Sequence, residues 1–108
     1  MVDEFEADIS VRGDELWVLP RGDLDIAAAP ELEETLSLAM ASDAGSIVID
    51  LRGLEFVDST GLRALAQATQ AEGGERISFI PGNDHVQSVF RISGLLDELP
   101  FRVGGSDS

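Results

Sequence analysis

The order of apolar and polar residues predicts an α/β domain: a mixed β-sheet that begins with a hairpin, continues by parallel crossovers and carries helices packed against it. Three observations predict it. Strand-like and helix-like patterns alternate along most of the chain, and such alternation builds a sheet covered by helices. Near the N-terminus, two strand-like stretches in "FEADISVRGDELWVLPRGDL" flank Gly13-Asp14, a hairpin turn signal. In the middle, "SIVIDL" (Ser46 to Leu51) is short, β-branched and bounded by turn formers, as a fully buried central strand is.

The remaining elements follow in order. "PELEETLSLAMA" predicts a helix, with Pro30 in its first turn, acids early, and Leu32, Leu36, Ala39 and Met40 at the spacing of one buried face. After "SIVIDL" and a short loop, "STGLRALAQATQAEGG" places Leu62, Leu65, Ala66 and Thr69 on one helical stripe, ended by Gly73-Gly74. "RISFI" reads as a further strand, closed by Pro81-Gly82. Asn83 or Asp84 can cap a helix that carries Val86, Val89 and Phe90 and stops at Gly94. "LPFRV" reads as a last edge strand, because its proline is tolerable only at an edge or a strand start. One domain over residues 1–103 is expected, with a frayed tail at 104–108, "GGSDS".

Composition narrows the function. The 108 residues suffice for one core without staples, and there is no cysteine for disulfides or thiolate chemistry. The N-terminus is acidic rather than basic, unlike a signal peptide, and no apolar run reaches the roughly 18 residues of a membrane span, so a cytoplasmic location is expected. Twenty-one acids face seven basic residues, all arginine, for a formal charge of −14. That balance argues against direct nucleic-acid or anionic-membrane binding and suits a partner with a basic face. The absence of lysine excludes Schiff-base and P-loop chemistry.

In sheets of this kind, sites lie where the carboxyl ends of strands meet helix N-termini, and "VDSTG" occupies that position. Asp58, Ser59 and Thr60 are residues that cap helices, since their side-chain oxygens accept from unsatisfied backbone N–H groups. Capping alone does not explain Gly61, which costs roughly 0.5–1 kcal/mol relative to alanine inside a helix; close approach by another backbone or a ligand would. Ser59 could act as a nucleophile only with a base. The sole histidine, His85, lies in a separate predicted helix, where an exposed or locally capped role suits it, and the segment is not a G-x-S-x-G elbow. The hydroxyl could instead accept a phosphoryl group from another protein. Asp23 and Asp25 alternate with Leu24 and share one face of an extended segment. They are a solvated strand end, a weak Mg²⁺ site without fixed geometry, or an acidic rim beside Ser59. A response-regulator receiver is rejected, because its acidic pocket works with a lysine. No catalytic set, cofactor loop or metal site emerges, so an enzyme is not expected.

At these residues a family resemblance enters. "RGDLDIAAAPELEETL", "IVIDLRGLEFVDSTGLRAL" and "VFRISGLLDELPF" resemble, in order and spacing, three blocks of bacterial anti-sigma factor antagonists, small single-domain members of the STAS superfamily. The middle block is the most specific. The resemblance implies a STAS-like mixed sheet of about five strands with helices packed against it. It also implies partner switching. The unphosphorylated antagonist binds an anti-sigma factor that is a serine kinase of the GHKL type, which frees a sigma factor; the kinase phosphorylates Ser59, and a PP2C-type phosphatase resets it. Thr60 is the second-ranked acceptor. On this reading Asp58 orients the helix start, Asp23 and Asp25 form an acidic rim for the partner, and Gly61 permits its close approach. Family members usually carry one more C-terminal helix; here a shortened terminus or a homodimer partner could cover that part of the sheet. Related STAS proteins with similar segments are never phosphorylated, and serve as scaffolds or as subunits bound to a transporter ATPase.

Overall fold

The computed structural model describes residues 5–102. Strands β1 (Glu6–Arg12) and β2 (Glu15–Leu24) form an antiparallel hairpin in which Arg12 pairs with Glu15. Only Gly13 and Asp14 lie between them. Gly13 has φ 64°, which a two-residue turn with a left-handed first position requires. The chain continues through α1 (Ala29–Met40), β3 (Ser46–Asp50), a 3₁₀ turn (Leu51–Gly53), β4 (Leu54–Val57) and α2 (Ser59–Gln70). A second 3₁₀ turn (Gly74–Arg76), β5 (Ile77–Ile80) and α3 (Asp84–Ser93) complete it. The sheet runs β1-β2-β3-β5 with β4 also paired to β2; every pairing after the hairpin is parallel. The predicted class, an α/β domain whose sheet opens with a hairpin and continues by parallel crossovers, is the class observed. The expected tail at 104–108 lies outside the described residues.

β2 is shared between two neighbours. It pairs with β3 through Glu15–Val18 and with β4 through Gly22–Leu24. Pro20, which has no N–H to give, falls in the gap between the two ladders, where none is needed. The register shifts between Gly22 and Asp23, and Gly22 takes φ 92°, a backbone that favours glycine. This irregularity re-aims the last residues of β2 alongside β4.

The core gathers Leu16, Val18 and Leu24 of β2, Ile47 and Ile49 of β3, and Phe79 of β5. Leu32 and Leu36 of α1, Leu62 and Leu65 of α2, and Val86 and Phe90 of α3 pack against them. β3 is central, and Ile47, Val48, Ile49 and Asp50 are all buried. Val48 pairs with Trp17, whose ring is capped by the Arg12 guanidinium at 4.0 Å and whose Nε1 donates to Glu15 Oε1 at 3.0 Å. Burying these large side chains supplies the main stabilisation, about 1.5–3 kcal/mol for each fully buried Leu, Ile, Val or Phe.

Two elements depart from the expectation. Four residues after the first 3₁₀ turn form β4, where the sequence suggested only a short loop. "LPFRV" contributes a single parallel bridge, Phe101 to Phe79, rather than a strand. Phe79 N–H donates to the Pro100 carbonyl at 3.0 Å and Arg102 N–H to the Phe79 carbonyl at 2.8 Å. Phe101 is nonetheless fixed, tilted against Phe79 and edge-on to Phe90 with centroids at 5.4 and 5.1 Å. Among the described residues, no helix is long and apolar enough to cross a membrane.

Candidate functional site

The carboxyl ends of β2 and β4 lie side by side, with Asp23 opposite Phe56 and Leu24 opposite Val57. Beyond them both segments leave the sheet, one toward α1 and the other into α2. Leu24 and Val57 point into the core, while Asp23 is half-buried and Phe56 is exposed on the other face. One bond ties the two exits together: Asp58 N–H donates to the Leu24 carbonyl at 3.1 Å.

Asp58 is the N-cap of α2. Its backbone is extended (φ −106°, ψ −177°), and its Oδ1 accepts from Gly61 N–H at 2.9 Å, while its carbonyl accepts from Leu62 N–H at 2.9 Å. The expected N-cap cluster therefore resolves into one capping residue. Ser59 is the first helical residue, exposed, and its hydroxyl makes no hydrogen bond among the described residues. Thr60 follows, half-buried.

Gly61 is buried against β2. A Cβ built there would lie 2.5 Å from Leu24 Cγ and 2.7 Å from the Leu24 carbonyl oxygen. The close approach inferred from the sequence is met by this chain's own β2. It seats the first turn of α2 on the end of β2.

Asp25 organises the other exit. Its Oδ1 accepts from the N–H groups of Ala27 and Ala28, both at 3.1 Å, and its carbonyl accepts from Ala28 and Ala29, both at 3.0 Å. It thereby serves the start of α1, whose own N-cap residue, Ala28, has no side chain able to cap. The structure brings Asp23, Asp25, Asp58, Ser59, Thr60 and Gly61 to one end of the sheet, with the two capping aspartates each using a single carboxylate oxygen.

The sequence reading missed two residues of this surface. Ile26, 69% exposed in the turn after Asp25, and Phe56, 39% exposed just before the "VDS" step, are apolar side chains at its rim. The signal for Phe56 was available, because it sits one residue before the inward-facing Val57. His85 also joins the surface: its ring stacks on Phe56 with centroids 5.3 Å apart and planes 14° from parallel. Asn83 holds α3 in place there, capping it through Val86 N–H at 2.8 Å and donating to the Leu54 carbonyl at 3.3 Å.

The chain thus forms a hairpin-led mixed sheet with an exposed serine at a capped helix start, seated on the end of the second strand. The profile of the family described as "Mlab, STAS domain" matches residues 10–100, and the chain belongs to that family. It is 30% identical over 85 residues to the anti-sigma-B factor antagonist of Staphylococcus aureus, which covers 77% of this chain and 79% of that protein. It is 38% identical over 58 residues to the anti-sigma-F factor antagonist RsfB of Mycobacterium tuberculosis, covering 54% of this chain and 47% of that one. Among solved structures, an anti-sigma factor antagonist from Mycobacterium paratuberculosis matches with a TM-score of 0.86 at 24% identity, over 97% of this chain and 91% of that one. The anti-sigma factor antagonist SpoIIAA in its unphosphorylated form matches with a TM-score of 0.70 at 21% identity, over 94% and 90%. At these identities the structures establish a shared fold.

Proposed function

We propose that this chain is a cytoplasmic anti-sigma factor antagonist, whose unphosphorylated form binds an anti-sigma factor of the GHKL serine-kinase type and so frees a sigma factor. Ser59 is the phosphoacceptor; its phosphorylation switches binding off, and a PP2C-type phosphatase restores it. The names of the two relatives support the class. The observation that carries the site is that Asp58 already supplies the cap of α2, which leaves the exposed Ser59 hydroxyl without a hydrogen bond among the described residues. The partner surface comprises Asp23, Asp25, Asp58 and Thr60, with Ile26 and Phe56 as apolar contacts.

The chemistry of the switch is local. A phosphate would add about 1.5 to 2 negative charges and three acceptor oxygens at the first turn of α2. The helix end favours that charge by about 0.3–1 kcal/mol, so the fold tolerates it. Asp58 and the acidic rim repel it, and a partner matched to a neutral serine meets both bulk and charge.

The test is to incubate the full chain with candidate GHKL kinases and ATP and to map phosphate by mass spectrometry. Wild type and Thr60→Ala are expected to be modified at residue 59, and Ser59→Ala left unmodified. Equal modification of Ser59→Ala refutes the assignment. Copurification of a transporter ATPase, with no kinase acting on Ser59, favours the unphosphorylated STAS-subunit reading instead.

A further inference from the structure

β1 forms one edge of the sheet, paired to β2 on one side only among the described residues. The hairpin register says what that edge presents. A two-residue loop closes on a hydrogen-bonded pair, here Arg12 and Glu15, so Glu6, Asp8, Ser10 and Arg12 direct their N–H and C=O groups to β2. Pro20 opposite Ala7 agrees, because a residue with no N–H suits the intervening unbonded position. The backbone groups of Ala7, Ile9 and Val11 therefore point away from the sheet.

Their side chains lie on the core-facing side, opposite Pro20, Val18 and Leu16, yet Ile9 is 40% and Val11 74% exposed. Leu38 of α1 is 63% exposed. Glu33, Ser37 and Met40 line the groove between α1 and α2, so helical spacing puts Leu38 on the opposite flank, toward β1. Two of the six exposed large hydrophobics among the described residues thus lie on this one strand, with Leu38 on the neighbouring flank of α1.

We propose that β1 pairs antiparallel with β1 of a second copy across a two-fold axis through Ile9, joining two sheets into one. The strand is complementary to itself in this register. "EADISVR" read against its reverse sets Glu6 opposite Arg12 of the second copy, Ala7 opposite Val11, Asp8 opposite Ser10, and Ile9 opposite itself. Opposite charges meet at both ends, where Arg12 of one copy adds a second cation to the Glu6 that Arg21 already bridges, and the three apolar residues of each copy meet on the helix side. Centring the axis one residue earlier would set Asp8 against Asp8, which like charge disfavours. Arg12 is available for the contact: it stacks on Trp17 and has no carboxylate partner among the described residues. The face of this edge that carries Ala7, Ile9 and Val11 bears no charge, and such a face is one that a second strand covers. The net charge of −14 on each copy opposes association, so salt strengthens it by screening.

Sedimentation equilibrium of the full chain tests this. The mass is expected to rise toward that of a dimer with concentration, more steeply with added salt. Ile9→Lys is expected to abolish the rise while leaving the circular dichroism unchanged. Glu6→Arg and Arg12→Glu each weaken it, and the two together restore it. The chain has no cysteine, so Ile9→Cys provides a single thiol on the axis, where antiparallel Cα spacing suits a disulfide. It should oxidise to a linked dimer faster than Ile92→Cys, whose position is 84% exposed elsewhere. A wild type that stays monomeric at the highest concentration in high salt, an Ile9→Lys variant that dimerises normally, or equal cross-linking of the two cysteine variants overturns the proposal.

Discussion

Replacing Gly61 by alanine separates the two roles a glycine at this position could have. If the first turn of α2 were only a capped helix start, alanine would be an improvement of about 0.5–1 kcal/mol, because it restricts the unfolded chain and suits a helix better. The structure reverses the sign. The new methyl would lie 2.5 Å from Leu24 Cγ and 2.7 Å from the Leu24 carbonyl oxygen, and the second contact is with backbone that no rotamer change can move. Leu24 is fully buried, so the strand end cannot give way and α2 must lift instead. That lift strains the bond from Asp58 N–H to the Leu24 carbonyl and the cap from Asp58 to Gly61. Overpacking of this kind costs about 1–3 kcal/mol, and the immobile partner argues for the upper half of that range. Net of the helical gain, Gly61→Ala should destabilise by about 1–2 kcal/mol, or lower the melting temperature by about 4–8 °C in a domain this size. Urea denaturation followed by circular dichroism measures it. Adding Leu24→Ala should couple favourably with Gly61→Ala, since it removes the side-chain part of the clash and leaves the carbonyl part. A Gly61→Ala variant as stable as wild type, or more so, refutes the reasoning.

Two further outcomes rest on charged groups outside the candidate site. The Arg76 guanidinium donates to the carbonyls of Met40 at 2.8 Å, Ser42 at 3.0 Å and Ala44 at 2.7 Å, and its Nε to that of Gly73 at 3.2 Å. Arg76→Lys keeps the charge but not the fork, and should cost roughly 2 kcal/mol or more in urea denaturation, since a carbonyl left without its donor costs about 1–3 kcal/mol when buried; an unchanged midpoint counts against this anchoring. For Asp50, burial pushes the carboxyl up, but hydrogen bonds from the side chain and backbone of Arg52 outweigh it and hold the group below its ordinary value of 3.8. Its stabilisation is therefore complete above that value and is lost as pH falls through the lower folded-state value. The stability difference between wild type and Asp50→Asn should be constant at higher pH and shrink only in that acid range; a difference independent of pH throughout contradicts the pairing.

Local chemistry made most elements legible. The hairpin declared itself through Gly13-Asp14, α1 through Pro30 and its apolar spacing, and α3 through Asn83 and Gly94, the two residues that do bound it. β4 was hidden because "LEFV" is four residues long, follows directly on a 3₁₀ turn, and owes its strand character to pairing with β2 far away in sequence. "LPFRV" misled in the opposite direction. Its apolar residues are held by Phe79 and Phe90, and backbone pairing is limited to the bridge at Phe101. Arg76 gave no signal, since its partners are carbonyl groups at the end of α1, in the loop after it and at Gly73, which any sequence supplies. Within the candidate site, the residue types at the "VDSTG" joint were readable but their division of labour was not. Which of three capping residues does the capping, and what approaches a glycine, are set by a register between β2 and β4 that the sequence does not display.

That division bears on how the proposed switch can work. A serine used as the cap would be pinned by its own hydrogen bond, and phosphorylating it would unfasten α2. Here the cap belongs to Asp58, the helix start is bonded to Leu24, and Gly61 is packed against β2, so three fixings hold the turn independently of the Ser59 hydroxyl. Modification at Ser59 can then change charge and shape at the surface without releasing the helix beneath it. The aspartate that frees the serine from capping duty also sits next to where the phosphate would be, so one residue both keeps the acceptor available and makes its modified form repulsive. On this reasoning Asp58 contributes to both states of the switch, and the rigidity of the joint is what confines the change to the partner's view of it.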